Sequence, residues 1–260
     1  MGTELVQDLV NKDTDGDGIL DWEENLWGTD PNKKDTNEDG VGDKAEIEKM
    51  KAENNNVLDN YIPIDENNLT ETDKFARELF ATISTLNQSG QVDQETVDKI
   101  TDALADRIKN NPPRKIYKIT DIKTSKETGK TAVTKYNDAL NALYKKYPIN
   151  GDVISIFNEL TSDQDTTDQK VLNSLDPIIK QTSLFVDGMT KISTPVFVVN
   201  EHLALLNSLE RILENLTDVK MIDKDIIIAL AGISQYDQNS DDLENAVTNL
   251  TNKLNQELNN

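Results

Sequence analysis

Between Asp13 and Glu46 the chain carries 12 acidic residues against three basic ones (Lys33, Lys34 and Lys44), a net charge of −9 in 34 residues. A solvated acidic tail has no reason to keep its charges in register, and these are in register. Asp13-Thr-Asp15-Gly-Asp17-Gly18-Ile19-Leu20-Asp21-Trp-Glu-Glu24 recurs as Asp35-Thr-Asn37-Glu-Asp39-Gly40-Val41-Gly42-Asp43-Lys-Ala-Glu46 at a constant offset of 22. Both blocks satisfy the twelve-residue calcium-loop pattern D-x-[DN]-x-[DN]-G-x5-E. Calcium is a hard cation that takes six to eight oxygens at about 2.3–2.6 Å, and short oxygen side chains on alternate residues of a curled backbone can converge on it. Glycine at the sixth position permits the sharp turn. Asp13, Asp15 and Asp17, and in the second block Asp35, Asn37 and Asp39, are the expected side-chain ligands. Ile19 and Val41 would offer backbone carbonyls, Asp21 and Asp43 would bind directly or through water, and Glu24 and Glu46 would close each site with both oxygens. Two Ca2+ sites are expected; magnesium suits the pattern less well because it demands near-octahedral geometry and gives up water reluctantly.

The residues around the blocks narrow the class. After Glu24 come only Asn25-Leu26-Trp27 before Gly28-Thr29-Asp30-Pro31, and Gly followed shortly by Pro stops a helix. A paired EF-hand or a dockerin needs a longer helix at that point. With its Gly-Thr-Asp-Pro connector, the stretch Asp13–Glu46 resembles the bacterial thrombospondin type 3 repeats, which string calcium loops together around little apolar core. The resemblance implies ligand roles for the carboxylates and the amide named above. The second block departs from it twice: Asn37 removes a charge, and Gly42 stands where the first block has Leu20. The larger apolar residues of the module (Leu5, Val6, Leu9, Val10, Ile19, Leu20, Trp22, Leu26, Trp27, Val41 and Ile47) are too few for an independent core, so bound ions would stand in for one. Trp22 and Trp27, the chain's two tryptophans, are expected in a small cluster with Leu20.

The rest of the composition works by exclusion. With 48 acidic and 27 basic residues, the chain has a formal charge of −21, which argues against nucleic acid as a partner, since binding it needs Lys and Arg to displace phosphate counterions. The absence of cysteine removes disulfides, thiolate zinc sites and a cysteine nucleophile. No apolar run is long enough for a membrane span. His202 is the single histidine, so a Ser-His-Asp triad would have to pass through it. It lies on a leucine-lined helix where a structural role is expected, with Glu201 and Asn207 as candidates to orient it. No phosphate loop, Gly-x-Ser-x-Gly elbow or His-Glu-x-x-His occurs, and the expectation is that the protein is not an enzyme.

The elements that would carry these loops are helical. The fold expected is all-α: a bundle of about seven or eight helices preceded by a small calcium-loop module with little regular structure. Residues 1–53 form the tandem loop module, 54–68 a polar linker and 69–260 the helical domain. Lys44–Glu53 reads as a short exit helix. Thr70-Glu71-Thr72-Asp73 caps a helix ended by Gly90, and a second helix from Val92 stops at Pro112-Pro113. Arg114–Lys126 is strand-like but without a strand to pair with. Further helices run over Ala132–Tyr147, Val153–Leu160 and Lys170–Ile192, the last kinked or split at Asp176-Pro177. Thr194-Pro195 reads as an N-cap and first helical residue; Asp223 would cap a helix through Tyr236, and a separate stripe from Leu243 to Leu258 would close the chain.

Asn67–Leu79 and Asn200–Leu209 resemble a family of bacterial envelope proteins that place a membrane anchor and a thrombospondin type 3 repeat ahead of a helical domain. The resemblance implies that Met1-Gly2 replaces an N-terminal anchor, and it supplies no activity to carry over. The function expected is that of a calcium-binding, non-enzymatic, extracytoplasmic protein of the cell envelope. Its calcium-rigidified module would position a helical domain that engages a protein or cell-surface partner. Two alternatives stay open, a calcium-dependent switch or sensor and a carbohydrate-active enzyme with an attached calcium module.

Overall fold

The computed structural model describes residues 12–54, 69–89, 94–162 and 169–259. The expected linker at 54–68, the apolar residues Leu5 to Val10 and the helix boundary at Gly90–Val92 therefore lie, apart from Asn54, outside the described residues. Contact density divides the chain into two units, Met1–Arg107 and Ile108–Asn260, so the helices after residue 70 group with the calcium loops up to Arg107.

In the first unit, α1 (Asp21–Trp27) and α2 (Asp43–Asn54) each begin at the ninth residue of an acidic block. Gly28 ends α1 in the left-handed region at φ 82, where glycine has no Cβ to clash, and its N–H closes on the Glu24 carbonyl at 2.8 Å. Helix α3 (Glu71–Ser89) begins as expected: Asp73 N donates to Thr70 Oγ1 at 3.0 Å and the Asp73 carboxylate accepts Thr70 N at 3.0 Å, a reciprocal capping box. Helix α4 spans Gln94–Lys109. Arg107 pairs with Glu78 of α3 and lies over the Phe75 ring at 5.6 Å. Helix α1 packs on α3, where Trp22 meets Phe80 edge to face at 6.4 Å. The aromatic partner of Trp22 is thus on α3, a residue that the expected loop-module cluster did not include.

In the second unit, α5 (Gly129–Lys146), α6 (Val153–Ser162), α7 (Gln169–Asn173), α8 (Asp176–Met189), α9 (Val199–Val219) and α10 (Ile226–Asn259) surround two apolar clusters. Helix α9 serves both: Leu205, Leu206 and Leu209 join Val133, Tyr136, Phe185 and Met189, while Ile212, Leu216 and Val219 join Phe157, Leu172 and Leu175. The all-α expectation holds, with a short two-stranded sheet as its one addition among the described residues. The stretch expected as Lys170–Ile192 is split at Asp176-Pro177, as proline at the start of α8 requires.

Three expectations need correction. Arg114–Lys126 does have a strand to pair with: β1 (Lys123–Ser125) runs parallel to β2 (Ser193–Pro195), Lys123 opposite Ser193 and Ser125 opposite Pro195. Thr194-Pro195 therefore forms strand, and α9 begins only at Val199 after a 3-10 turn at Val196–Val198. A residue before proline is driven out of the helical region, and Thr194 is β-branched and fully buried. The two helices expected from Asp223 onward are one 34-residue helix, α10. Its polar middle, Asp237–Asp242, contains neither Gly nor Pro, so nothing there breaks it, and Asp225 rather than Asp223 accepts an N–H of its first turn. Leu250 and Leu254 of the terminal stripe are buried, whereas Val247 is exposed.

The approach to α9 also explains Arg114–Tyr117. Arg114 N and Lys115 N both donate to Glu214 Oε1 at 2.9 Å, and the Asn207 side chain accepts Tyr117 N at 2.7 Å while donating to Tyr117 O at 3.2 Å. Helix side chains here do what a neighbouring strand would do, satisfying an extended backbone that has no ladder of its own.

Candidate metal centre

Each loop is built by side-chain oxygens accepting the backbone N–H groups that follow them. Asp13 takes Gly16 N at 2.7 Å and Gly18 N at 3.0 Å, Asp15 takes Asp17 N at 3.0 Å, and Asp17 takes Ile19 N at 2.8 Å. The second loop repeats this: Asp35 takes Gly40 N at 2.8 Å, Asn37 takes Asp39 N at 2.9 Å, and Asp39 takes Val41 N at 2.9 Å. Gly18 and Gly40, at the sixth positions, sit at φ 90 and φ 93, where only glycine is unstrained. The fourth position is left-handed as well, in Gly16 at φ 72 and in Glu38 at φ 60. A non-glycine residue there carries a cost on the order of 1 kcal/mol, a feature of the second loop that spacing alone does not reveal.

Asp21 and Asp43 have a different job from the other carboxylates. Thr14 N and Thr14 Oγ1 each donate to Asp21 at 2.7 Å, and Lys12 Nζ lies 2.9 Å from it. Thr36 treats Asp43 in the same way, at 2.8 and 2.7 Å. Burial pushes Asp21 upward, but the Thr14 and Lys12 hydrogen bonds outweigh it and hold the group below the usual carboxylate range. These residues tie the start of each loop to its end. Gly42, the departure from Leu20, lies where the Lys34 carbonyl approaches, and a Cβ there would sit 3.1 Å from that oxygen.

In the first loop, ligand oxygens of Asp13, Asp15 and Asp17 lie within 4.8 Å of one another, the one group of this kind among the described residues. Glu24, brought up from the first turns of α1, is fully buried at 0% exposure. Among the described residues neither of its oxygens has a hydrogen-bond partner, and Asp15 Oδ2 and Asp17 Oδ2 are buried and unpartnered too. Burial first, then the charges of Asp15, Asp17, Asp21 and Asp43, push Glu24 up to about 7. Burying a carboxylate among carboxylates is costly unless a cation compensates it, and a divalent ion with a preference for oxygen fits this donor set. Ile19, whose carbonyl was expected as a ligand, is buried; Val41, its counterpart, is 46% exposed. Lys34 Nζ reaches from the connector to Gly16 O at 2.9 Å, and the Lys44 ammonium lies over Gly18.

His202 stands apart from this chemistry. It is fully buried on α9, with Nδ1 2.9 Å from the Tyr136 hydroxyl, and burial holds it down at about 4 against the opposing Met189 backbone. Asn207, expected as a candidate to orient it, is occupied by the Tyr117 backbone.

Residues 13–34 match the family described as the bacterial TSP3 repeat. Family match and carboxylate geometry together mark this stretch as a calcium-binding repeat. The match takes in the first loop and the connector and stops before Asp35. No curated protein and no solved structure matches this chain. No helix among the described residues is long and apolar enough to cross a membrane.

Proposed function

We propose that this is a non-enzymatic, calcium-binding protein of the cell envelope whose N-terminal module is made rigid by calcium and whose helical unit engages a protein or cell-surface partner. The observation that carries the calcium part is Glu24, wholly buried among like charges without a partner. Asp13, Asp15, Asp17 and Glu24 would hold the ion with the Ile19 carbonyl, and Asp21 would brace the loop. Asp35, Asn37, Asp39, the Val41 carbonyl and Glu46 form the second, weaker site, braced by Asp43. The bound ion supplies charge neutralisation and a fixed centre for the loop. Because α1 carries both Glu24 and Trp22, an ordered loop also orders the helix that packs on α3. The non-enzymatic reading is supported by the single histidine being sealed against Tyr136.

The test is a calcium titration of chelator-stripped protein followed by tryptophan fluorescence, with Glu24→Gln alongside. An envelope module should saturate at about 10⁻⁴–10⁻³ M, and Glu24→Gln should weaken binding at least ~10-fold. Saturation near micromolar calcium with newly exposed apolar surface would replace the structural role with a switch. No response at any concentration would end the calcium reading.

A further inference from the structure

We infer that Asn37 is the residue that separates the two calcium loops in affinity, its side-chain amide acting as a built-in partner for Glu46 that calcium must displace. The inference rests on the calcium reading above and deepens it. The two loops share the bonds accepted at their first, third, fifth and ninth positions. Asp13 also takes Gly16 N, whereas Asp35 Oδ1 is buried and unpartnered among the described residues. The third position is where one loop has a carboxylate and the other an amide. At the third position, Asp15 Oδ1 accepts Asp17 N at 3.0 Å and Asn37 Oδ1 accepts Asp39 N at 2.9 Å. That shared bond settles the orientation of the amide, because an N–H must be met by the oxygen end. What remains differs between the loops. In the first loop it is Asp15 Oδ2, buried and unpartnered among the described residues, as both Glu24 oxygens are. In the second it is Asn37 Nδ2, which donates to Glu46 Oε1 at 2.9 Å and to Asp39 Oδ2 at 3.4 Å.

The consequence follows from the sign of the groups. A carboxamide N–H2 presents two donors and no acceptor, so it satisfies carboxylates and repels a cation. The first loop leaves its closing carboxylate with nothing but a cation to complete it. The second gives its closing carboxylate an amide partner from its own chain, while Asp35 Oδ1 is the oxygen it leaves buried and unpartnered among the described residues. For calcium to enter, the Asn37 nitrogen must leave Glu46 and an oxygen must take its place. The first loop should therefore fill first, and the gap to the second is set by residue 37 and not by Gly42.

Calorimetric titration of the chelator-stripped full chain with calcium chloride, comparing the natural chain with Asn37→Ser and Asn37→Asp, tests this. Serine keeps a short acceptor for Asp39 N, lacks the amide donors and adds no charge. The expected result is a second event at least ~10-fold weaker than the first in the natural chain. Asn37→Ser should tighten that second event severalfold, and Asn37→Asp should bring it close to the first. A second event weakened or unmoved by Asn37→Ser would overturn the inference and make Asn37 an ordinary ligand. Tightening by Asn37→Asp alone would also overturn it, since charge would then account for the gap. Two events of equal affinity in the natural chain would defeat it while leaving the calcium reading intact; no event in any of the three proteins would defeat the calcium reading itself.

Discussion

Both units of this protein bury carboxylates, and Glu24 of the first is treated in the opposite way from those of the second. In the second unit Glu214 receives Arg114 N, Lys115 N and the Arg211 guanidinium, Asp218 receives Arg114 and Asn111, and Glu210 receives the Tyr117 hydroxyl. In the first unit Glu24 receives nothing among the described residues and has Asp15, Asp17, Asp21 and Asp43 as its electrostatic neighbours. A charge leaves water only where something compensates it. The second unit compensates from its own chain, as the first does at Asp43 through Thr36, whereas Glu24 has no such partner among the described residues and suits an ion from outside. The same residue type therefore has a structural role at Glu214 and a proposed ligand role at Glu24.

The largest expected effect comes from making the second unit resemble the first. Glu214→Ala strips the partner from two backbone N–H groups and from Arg211, and should cost about 3–5 kcal/mol in the stability of that unit. Chemical denaturation followed by circular dichroism measures it. Calcium should not rescue the loss, and a rescue would break the distinction between the units. Protonating His202 asks next whether the second unit tolerates a buried charge it cannot pair. With the folded value down at about 4 and an unfolded value near 6.5, the unfolded chain takes up the proton first as pH falls. The stability due to the neutral ring is thus fully present above about pH 6.5 and is lost on the way down to about 4, by roughly 3 kcal/mol. Denaturation midpoints across that window should show the fall, and His202→Gln should flatten it.

Calcium should act on the first unit alone, raising its stability by about 2.7 kcal/mol at a free concentration 100 times Kd. Tryptophan fluorescence reports this unit selectively, since Trp22 and Trp27 are the only tryptophans. Glu24→Gln sharpens the point with opposite signs: it should stabilise the calcium-free module, by removing an unpaired buried charge, and destabilise the calcium-loaded one. A control without charge completes the series. A Cβ on Gly232 of α10 would sit 2.7 Å from the Asn215 carbonyl of α9, so Gly232→Ala should cost the second unit about 1–2 kcal/mol through packing alone. Its thermal melt should shift equally with and without calcium.

Much of the first unit was legible in the residues themselves. Spacing placed Asp13, Asp15, Asp17 and Glu24, the two sixth-position glycines adopt the left-handed backbone their places imply, and the Thr70–Asp73 cap opens its helix. Local signals of this kind act over four to twelve residues, and the chain states them directly. The strand partner of Lys123–Ser125 was not legible, because Ser193–Pro195 carries a helix-start signature that a remote pairing overrides. The Glu214 and Asn207 cradle for Arg114–Tyr117 was equally hidden, since it joins residues about 100 and 90 apart. Nor could spacing show that Asn37 turns its nitrogen to the closing glutamate while Asp15 Oδ2 is left without a partner among the described residues.

What the sequence by itself determined is the chemistry on offer: oxygen ligands at calcium spacing, an all-α pattern, and a composition with no cysteine and a single histidine. These follow from residue types and short-range periodicity. Only the tertiary structure decided which acids are satisfied and which await an ion, because that depends on which donors the fold brings beside each carboxylate once water is gone. Glu24 and Glu214 are the same side chain in the sequence. Burial beside Asp15 and Asp17 in one case, and beside Arg211 and two backbone N–H groups in the other, makes one a candidate calcium ligand and the other part of the frame.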